Sequence, residues 1–100
     1  MTTDTNLDKH IYSLINDLNE KKYDQVIENS NKLIQAGNRL SILHNLIGVS
    51  YSFKNENNKA ITSYDKALDL EPNNEEIFRN LGKSLRKVNK VKDAIQAFQS

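Results

Sequence analysis

The fold this sequence predicts is an all-α array of stacked helical hairpins, and three observations carry that reading. Two stretches repeat each other at an offset of 34 residues: Ile47-Gly48 recurs as Leu81-Gly82, Ser50 as Ser84, Asn55 as Asn89, Ala60-Ile61 as Ala94-Ile95 and Tyr64 as Phe98. That period is the length of one helix–turn–helix unit of a solenoid. Apolar residues recur at helical spacing from end to end, with no alternating strand pattern. The hydrophobic fraction is only 37% and the mean hydropathy is −0.70. Both suit a layered chain in which each unit buries one face and leaves the other wet.

Residues 1–6 are expected to be a disordered N-terminus. The first helix is predicted from about Asn6 to Lys21, because Ile11, Leu14, Ile15 and Leu18 form one apolar stripe at i, i+3, i+4 and i+7. Lys21-Lys22 then place cations at its C-terminal end, where they complement the helix dipole. A second helix is predicted from about Tyr23 to Ala36, with Val26, Ile27, Ser30, Leu33 and Ile34 facing inward. Gly37 ends it, since glycine tolerates the left-handed conformation of a C-cap.

The third helix is predicted over about Arg39 to Lys54, and the polar run Asn55-Glu56-Asn57-Asn58 breaks the pattern. The fourth runs about Asn58 to Leu70 and cannot pass Pro72. Asn73-Asn74 supply an N-cap for a fifth helix, with Glu75-Glu76 in its first turn. That helix is expected to end near Val88, with Asn89-Lys90 turning the chain into a sixth that runs to Ser100. Six helices make three hairpins. Gly48 and Gly82 each cost roughly 1 kcal/mol of helix propensity, so both are expected at close helix crossings. Ala60, Ala67 and Ala94 would face them from the partner helices, with Tyr51, Tyr64 and Phe98 filling the gaps between layers.

With Ser41 as the first position of a unit, the pattern His44, Ile47, Gly48, Tyr51, Ala60, Tyr64, Ala67 and Pro72 resembles the tetratricopeptide repeat (TPR). That family prefers Trp, Leu, Gly, Tyr, Ala, Phe, Ala and Pro there, so His44 is the clear departure. The next unit supplies Phe78, Leu81, Gly82, Leu85, Ala94 and Phe98. The resemblance implies a right-handed superhelical array. It divides into a degenerate helix pair at 7–40, a full repeat at 41–74 and a repeat shortened in its second helix at 75–100. In the first pair only the second helix, with Tyr23 and Val26, fits the spacing.

Composition narrows the function classes. A net charge of +1 argues against a dedicated nucleic-acid binder. No apolar run approaches the roughly 18 residues of a membrane span, and the start, Met1-Thr2-Thr3-Asp4-Thr5-Asn6, lacks secretory features. Residence in the cytoplasm is therefore expected. The absence of cysteine leaves no disulfide or thiolate chemistry. Serines and acids are plentiful, yet none sits in a nucleophile elbow, phosphate loop or zinc-protease motif. His10 and His44 are also one repeat apart, but stacked helices lie about 8–10 Å from each other and zinc usually takes four ligands at about 2 Å. Packing is the expected role of both. No catalysis, cofactor or metal is expected within these residues.

What the resemblance implies is a protein-interaction module whose ligand lies in a concave groove lined by the first helix of each unit. Carried over, the groove positions are Ile42, Asn45, Val49, Ser52 and Phe53 in the full repeat, then Glu76, Arg79, Lys83, Arg86 and Lys87 in the next. Asn45, Val49, Ser52, Phe53, Arg79, Lys83, Arg86 and Lys87 are the candidate contact residues. The basic stripe at i, i+4, i+7 and i+8 suits an acidic partner peptide, a chain-terminal carboxylate or another anion. The family's chaperone-tail clamp would need Lys, Asn, Asn, Lys and Arg where this chain has Ile11, Ile15, Leu46, Glu76 and Asn80. A frame one unit later gives Asn45, Val49 and Asn80, so the clamp is absent in both. Two rival readings stand beside the module. The chain could form the N-terminal TPR region of a longer bacterial enzyme of sulfotransferase or glycosyltransferase type, recruiting its protein substrate. Alternatively, its C-terminal helix, with Leu81, Leu85, Ile95 and Phe98 uncovered, could pair two copies as a homodimer.

Overall fold

The chain is seen in a computed structural model that describes residues 5–99. Five helices follow one another: α1 (Thr5–Asn19), α2 (Tyr23–Gln35), α3 (Ser41–Phe53), α4 (Asn57–Leu70) and α5 (Glu75–Gln99). Consecutive helices pack against each other, and the described residues contain no strand. Thr5 and Asn6, expected to be disordered, open α1; residues 1–4 of that stretch lie outside the described residues.

Three of the four turns are built the same way. At the end of α1 the Lys22 N–H donates to Asp17 O (2.9 Å) and the Lys21 N–H to Leu18 O (3.0 Å). At the end of α2, Asn38 donates to Leu33 O (3.2 Å) and Gly37 to Ile34 O (2.9 Å). At the end of α3, Glu56 donates to Tyr51 O (2.9 Å) and Asn55 to Ser52 O (3.0 Å). These paired bonds satisfy the orphaned carbonyls of a helix end and require one left-handed residue. That residue is Lys21 (φ 64°), Gly37 (φ 101°) and Asn55 (φ 62°) respectively. Lys21 and Asn55 are one repeat length apart, so the first hairpin keeps the turn geometry of the second even where its residues diverge.

Two apolar layers result. Leu14, Val26, Leu43 and Leu46 form the first, sealed by Ile11, Ile15, Leu18, Leu33, Ile34 and Leu40. The predicted α1 stripe is thus its wall. Ala60, Tyr64, Ala67 and Ile77 form the second, with Val49, Tyr51, Leu68 and Leu81 against it. The Ser41 hydroxyl donates to the Glu71 carboxylate, fastening the start of α3 to the end of α4. The Ile77 N–H donates to Asn74 Oδ1 at 3.1 Å, so Asn74 caps α5 as its residue type suggests.

The largest departure from expectation is at the C-terminal end. Among the described residues there is no sixth helix and no third hairpin: α5 runs unbroken to Gln99, through the turn expected at Asn89-Lys90. The physical reason is local. The α3–α4 turn reads Lys54-Asn55-Glu56-Asn57, whereas the matching residues are Val88-Asn89-Lys90-Val91. Of that turn's residues only the asparagine is retained: Lys54, Glu56 and Asn57 give way to Val88, Lys90 and Val91, which leaves two β-branched apolar residues where polar ones break the helix. Two further expectations fall with it. Gly82 sits at no close crossing, since a Cβ there would meet nothing within 4 Å. Phe98 fills no gap between layers and is 92% exposed.

Gly48 behaves as expected. A Cβ on Gly48 would lie 2.6 Å from Tyr64 Cδ1 and nearer still to Cε1. The α3–α4 hairpin therefore closes on an aromatic ring laid over a bare backbone. At the far end α5 extends past the body, and the whole measures 63 × 28 × 20 Å.

Candidate binding groove

The packing of α5 beside the α3–α4 hairpin opens a cleft of about 330 Å³ lined by Val49, Ser52, Phe53, Tyr64, Asn80, Lys83 and Lys87. Each side chain is placed by helical register. Val49, Ser52 and Phe53 stand at i, i+3 and i+4 on α3, while Asn80, Lys83 and Lys87 stand at i, i+3 and i+7 on α5. The upper edge is fixed by the Asn80 amide donating to Asn45 Oδ1 at 3.1 Å, a bond that ties the two helices together. Phe53 is held at the other end. Its ring stacks on Tyr23 with centroids 5.2 Å apart and planes 6° from parallel.

Five of the eight candidate residues thus meet around one cleft: Val49, Ser52, Phe53, Lys83 and Lys87. Asn45 is bound to a lining residue and belongs to its rim. Arg79 and Arg86 are exposed on α5 but are not among the lining residues. Asn80, which lines the cleft, and Tyr23, which stacks on the lining residue Phe53, are not among the groove positions the resemblance implies. The stripe Asn80, Lys83, Lys87 is legible at helical spacing, while the Tyr23–Phe53 stack joins different hairpins and leaves no local signal.

The cleft is electropositive. Among the described residues Lys83 and Lys87 make no salt bridge, and both are exposed. Its floor is the edge of Tyr64, only 2% exposed. Burial pushes that phenol up to about 12 from 10.0, with a hydrogen bond from the Ser52 hydroxyl pulling the other way. Because the folded pKa is raised, the stability tied to the neutral phenol is fully present below pH 10.0 and is lost as pH rises through about 12. Tyr64→Phe should therefore flatten the alkaline limb of a stability-versus-pH curve measured by urea melts. Coincident alkaline limbs in the two chains would assign that titration to another group.

A second furrow, about 300 Å³, lies on the opposite side between α2 and α4, over His44, Ile47 and Tyr51. His44 is half-buried there, its pKa lowered by burial and then by the nearby Lys66 cation. Among the described residues no group of three or more His, Cys, Asp or Glu is placed to hold a metal ion. No helix among them is long and apolar enough to cross a membrane.

A family model for the TPR repeat matches residues 50–89, the end of α3, all of α4 and the first half of α5. No curated protein matches the chain.

Proposed function

We propose that the chain, whose residues 50–89 match a TPR repeat and whose consecutive helices pack against each other, is a protein-interaction module that binds an acidic segment of a partner protein in the α3–α5 cleft. The observation that carries this reading is the pairing of an apolar, aromatic wall with two uncompensated lysines. Val49 and the stacked Phe53 offer contact area, while Lys83 and Lys87 line the same space and, among the described residues, form no salt bridge. The Asn45–Asn80 bond and the Tyr23–Phe53 stack hold the walls before anything binds, which reduces the ordering cost of association. A short extended segment with one or two carboxylates beside an apolar side chain fits those walls. No residue of the cleft forms a nucleophile–base pair, so the reading is non-catalytic.

The test is titration of labelled acidic, basic and neutral peptides by fluorescence anisotropy at two salt concentrations. Acidic peptides should bind most tightly at low salt and weaken as ionic strength rises, because exposed charges are screened beyond about 8 Å at physiological salt. Lys83→Ala with Lys87→Ala should weaken acidic-peptide binding about tenfold or more, whereas Arg79→Ala, off the cleft, should change it little. Equal binding of acidic and basic peptides at low salt would reduce the lysine pair to a solvated surface.

A further inference from the structure

The α3–α4 hairpin and α5 hold the same residues in two different states. In the hairpin the Tyr64 ring lies over Gly48, and Ala60 beside it is fully buried. One repeat length on, a Cβ on Gly82 would meet nothing within 4 Å and Phe98 is 92% exposed, with Ala94 exposed between them. Both halves of a contact that the molecule already makes once are present again, and neither meets its counterpart. The receiving half is Gly82 flanked by Phe78 and Leu85, which are 52% and 43% exposed. The inserting half is Val91, Ala94 and Phe98, at i, i+3 and i+7 on the same helix.

Within one straight α5 these halves cannot meet, being roughly four and a half turns and about 24 Å apart along the axis. We propose that a second copy of the chain supplies the missing half: the Phe98 face of one α5 packs across the Gly82 face of another, as Tyr64 packs across Gly48 within the hairpin. This goes beyond the cleft reading and uses other residues. The occupant is set by the chain's own α3–α4 contact, which supplies the shape, the register and the antiparallel direction.

Geometry also decides the kind of assembly. Four and a half turns place Gly82 and Phe98 on nearly opposite sides of the rod. An isologous pair of straight helices needs both halves on one side, so the contact is head-to-tail and each added copy leaves one half free. The buried patch is small. An aromatic side chain contributes roughly 150–250 Å², so the contact falls in the weak class below about 1,200 Å², and assembly depends on concentration.

Two substitutions separate the halves. Gly82→Leu fills the receiving surface, and Phe98→Asp removes the inserting ring. Both positions are open in the single chain, so circular dichroism should show unchanged helicity in each. Sedimentation velocity over a concentration series should show the unsubstituted chain growing beyond dimers, each variant alone staying monomeric, and an equimolar mixture of the two stopping at dimers. The mixture keeps one good inserting half and one good receiving half, which meet once and cannot propagate. A monomer at every concentration would overturn the proposal, in favour of α5 folding back on itself at Asn89. A closed dimer that persists in either variant would overturn it as well, since the contact would then lie elsewhere.

Discussion

Gly48→Ala should destabilise the fold by about 1–3 kcal/mol, while Gly82→Ala should stabilise it by about 1 kcal/mol. Both replace a helical glycine by the best helix former, and both gain the same backbone term. The difference lies in what the new methyl meets. At Gly48 it would lie 2.6 Å from Tyr64 Cδ1 and closer to Cε1. That ring is 2% exposed and packed with Ala60, Ala67 and Ile77, so it can yield only by giving up its place in this layer. Either the ring leaves its rotamer or α3 and α4 move apart, and each route exceeds the propensity gain. At Gly82 the methyl meets nothing.

Urea melts of the two variants at low micromolar concentration, where self-assembly is negligible, check the pair. A third chain isolates the cause: in a Tyr64→Ala background, Gly48→Ala should cost little, because the atoms it strikes are gone. A loss of the same size in both backgrounds would mean that the cost of Gly48→Ala arises outside the Tyr64 contact. Equal stability changes at Gly48 and Gly82 would remove the distinction between the two hairpin positions altogether.

That contrast also shows how far the fold was legible from residues alone. The 34-residue period located Gly48, Tyr64, Ala60 and Ala67 in one packed layer, since these contacts follow from spacing within a hairpin. The stripe Ile11, Leu14, Ile15, Leu18 likewise led to the first layer. The same period misled at α5. A repeat in sequence implies a repeat in structure only if the turn between helices forms, and Val88-Asn89-Lys90-Val91 keeps one polar turn residue of the set found at 54–57. Conversely, the first hairpin looked degenerate, yet its turn repeats that of the second, with Lys21 left-handed where Asn55 is. Turn geometry is held by backbone bonds, which tolerate residue changes that erase the side-chain signature. In the groove, register on α3 and α5 brought Val49, Ser52, Phe53, Lys83 and Lys87 together. Arg79 and Arg86 fell outside because i, i+7 neighbours can share a helix face and still miss a cleft set by the helix beside them. The Asn45–Asn80 bond joins residues 35 apart in the chain, and only the packed helices reveal it.

Replacing Ser30, Ser50 and Ser84 together by alanine should stabilise the chain by about 3 kcal/mol or more. All three are fully buried, and none of their hydroxyls has a hydrogen-bond partner. A buried hydroxyl left unsatisfied forfeits its bonds to water and costs about 1–3 kcal/mol. Alanine removes that cost, keeps the Cβ that neighbouring helices pack against, and has the higher helix propensity. The space left is one oxygen atom, too small to admit a water molecule and small enough for the layers to close over. Ser50 and Ser84 occupy the same place in successive repeats, so their single variants should gain similar amounts. Chemical melts of the three single variants and the triple decide the matter, with far-ultraviolet circular dichroism to show that helicity is kept. A net loss at any one position would mean that its hydroxyl does find a partner in solution, most directly the carbonyl one turn earlier in its own helix. In that case the corresponding Ser→Thr variant, which keeps the hydroxyl but adds a methyl to a closed layer, should lose stability through overpacking alone.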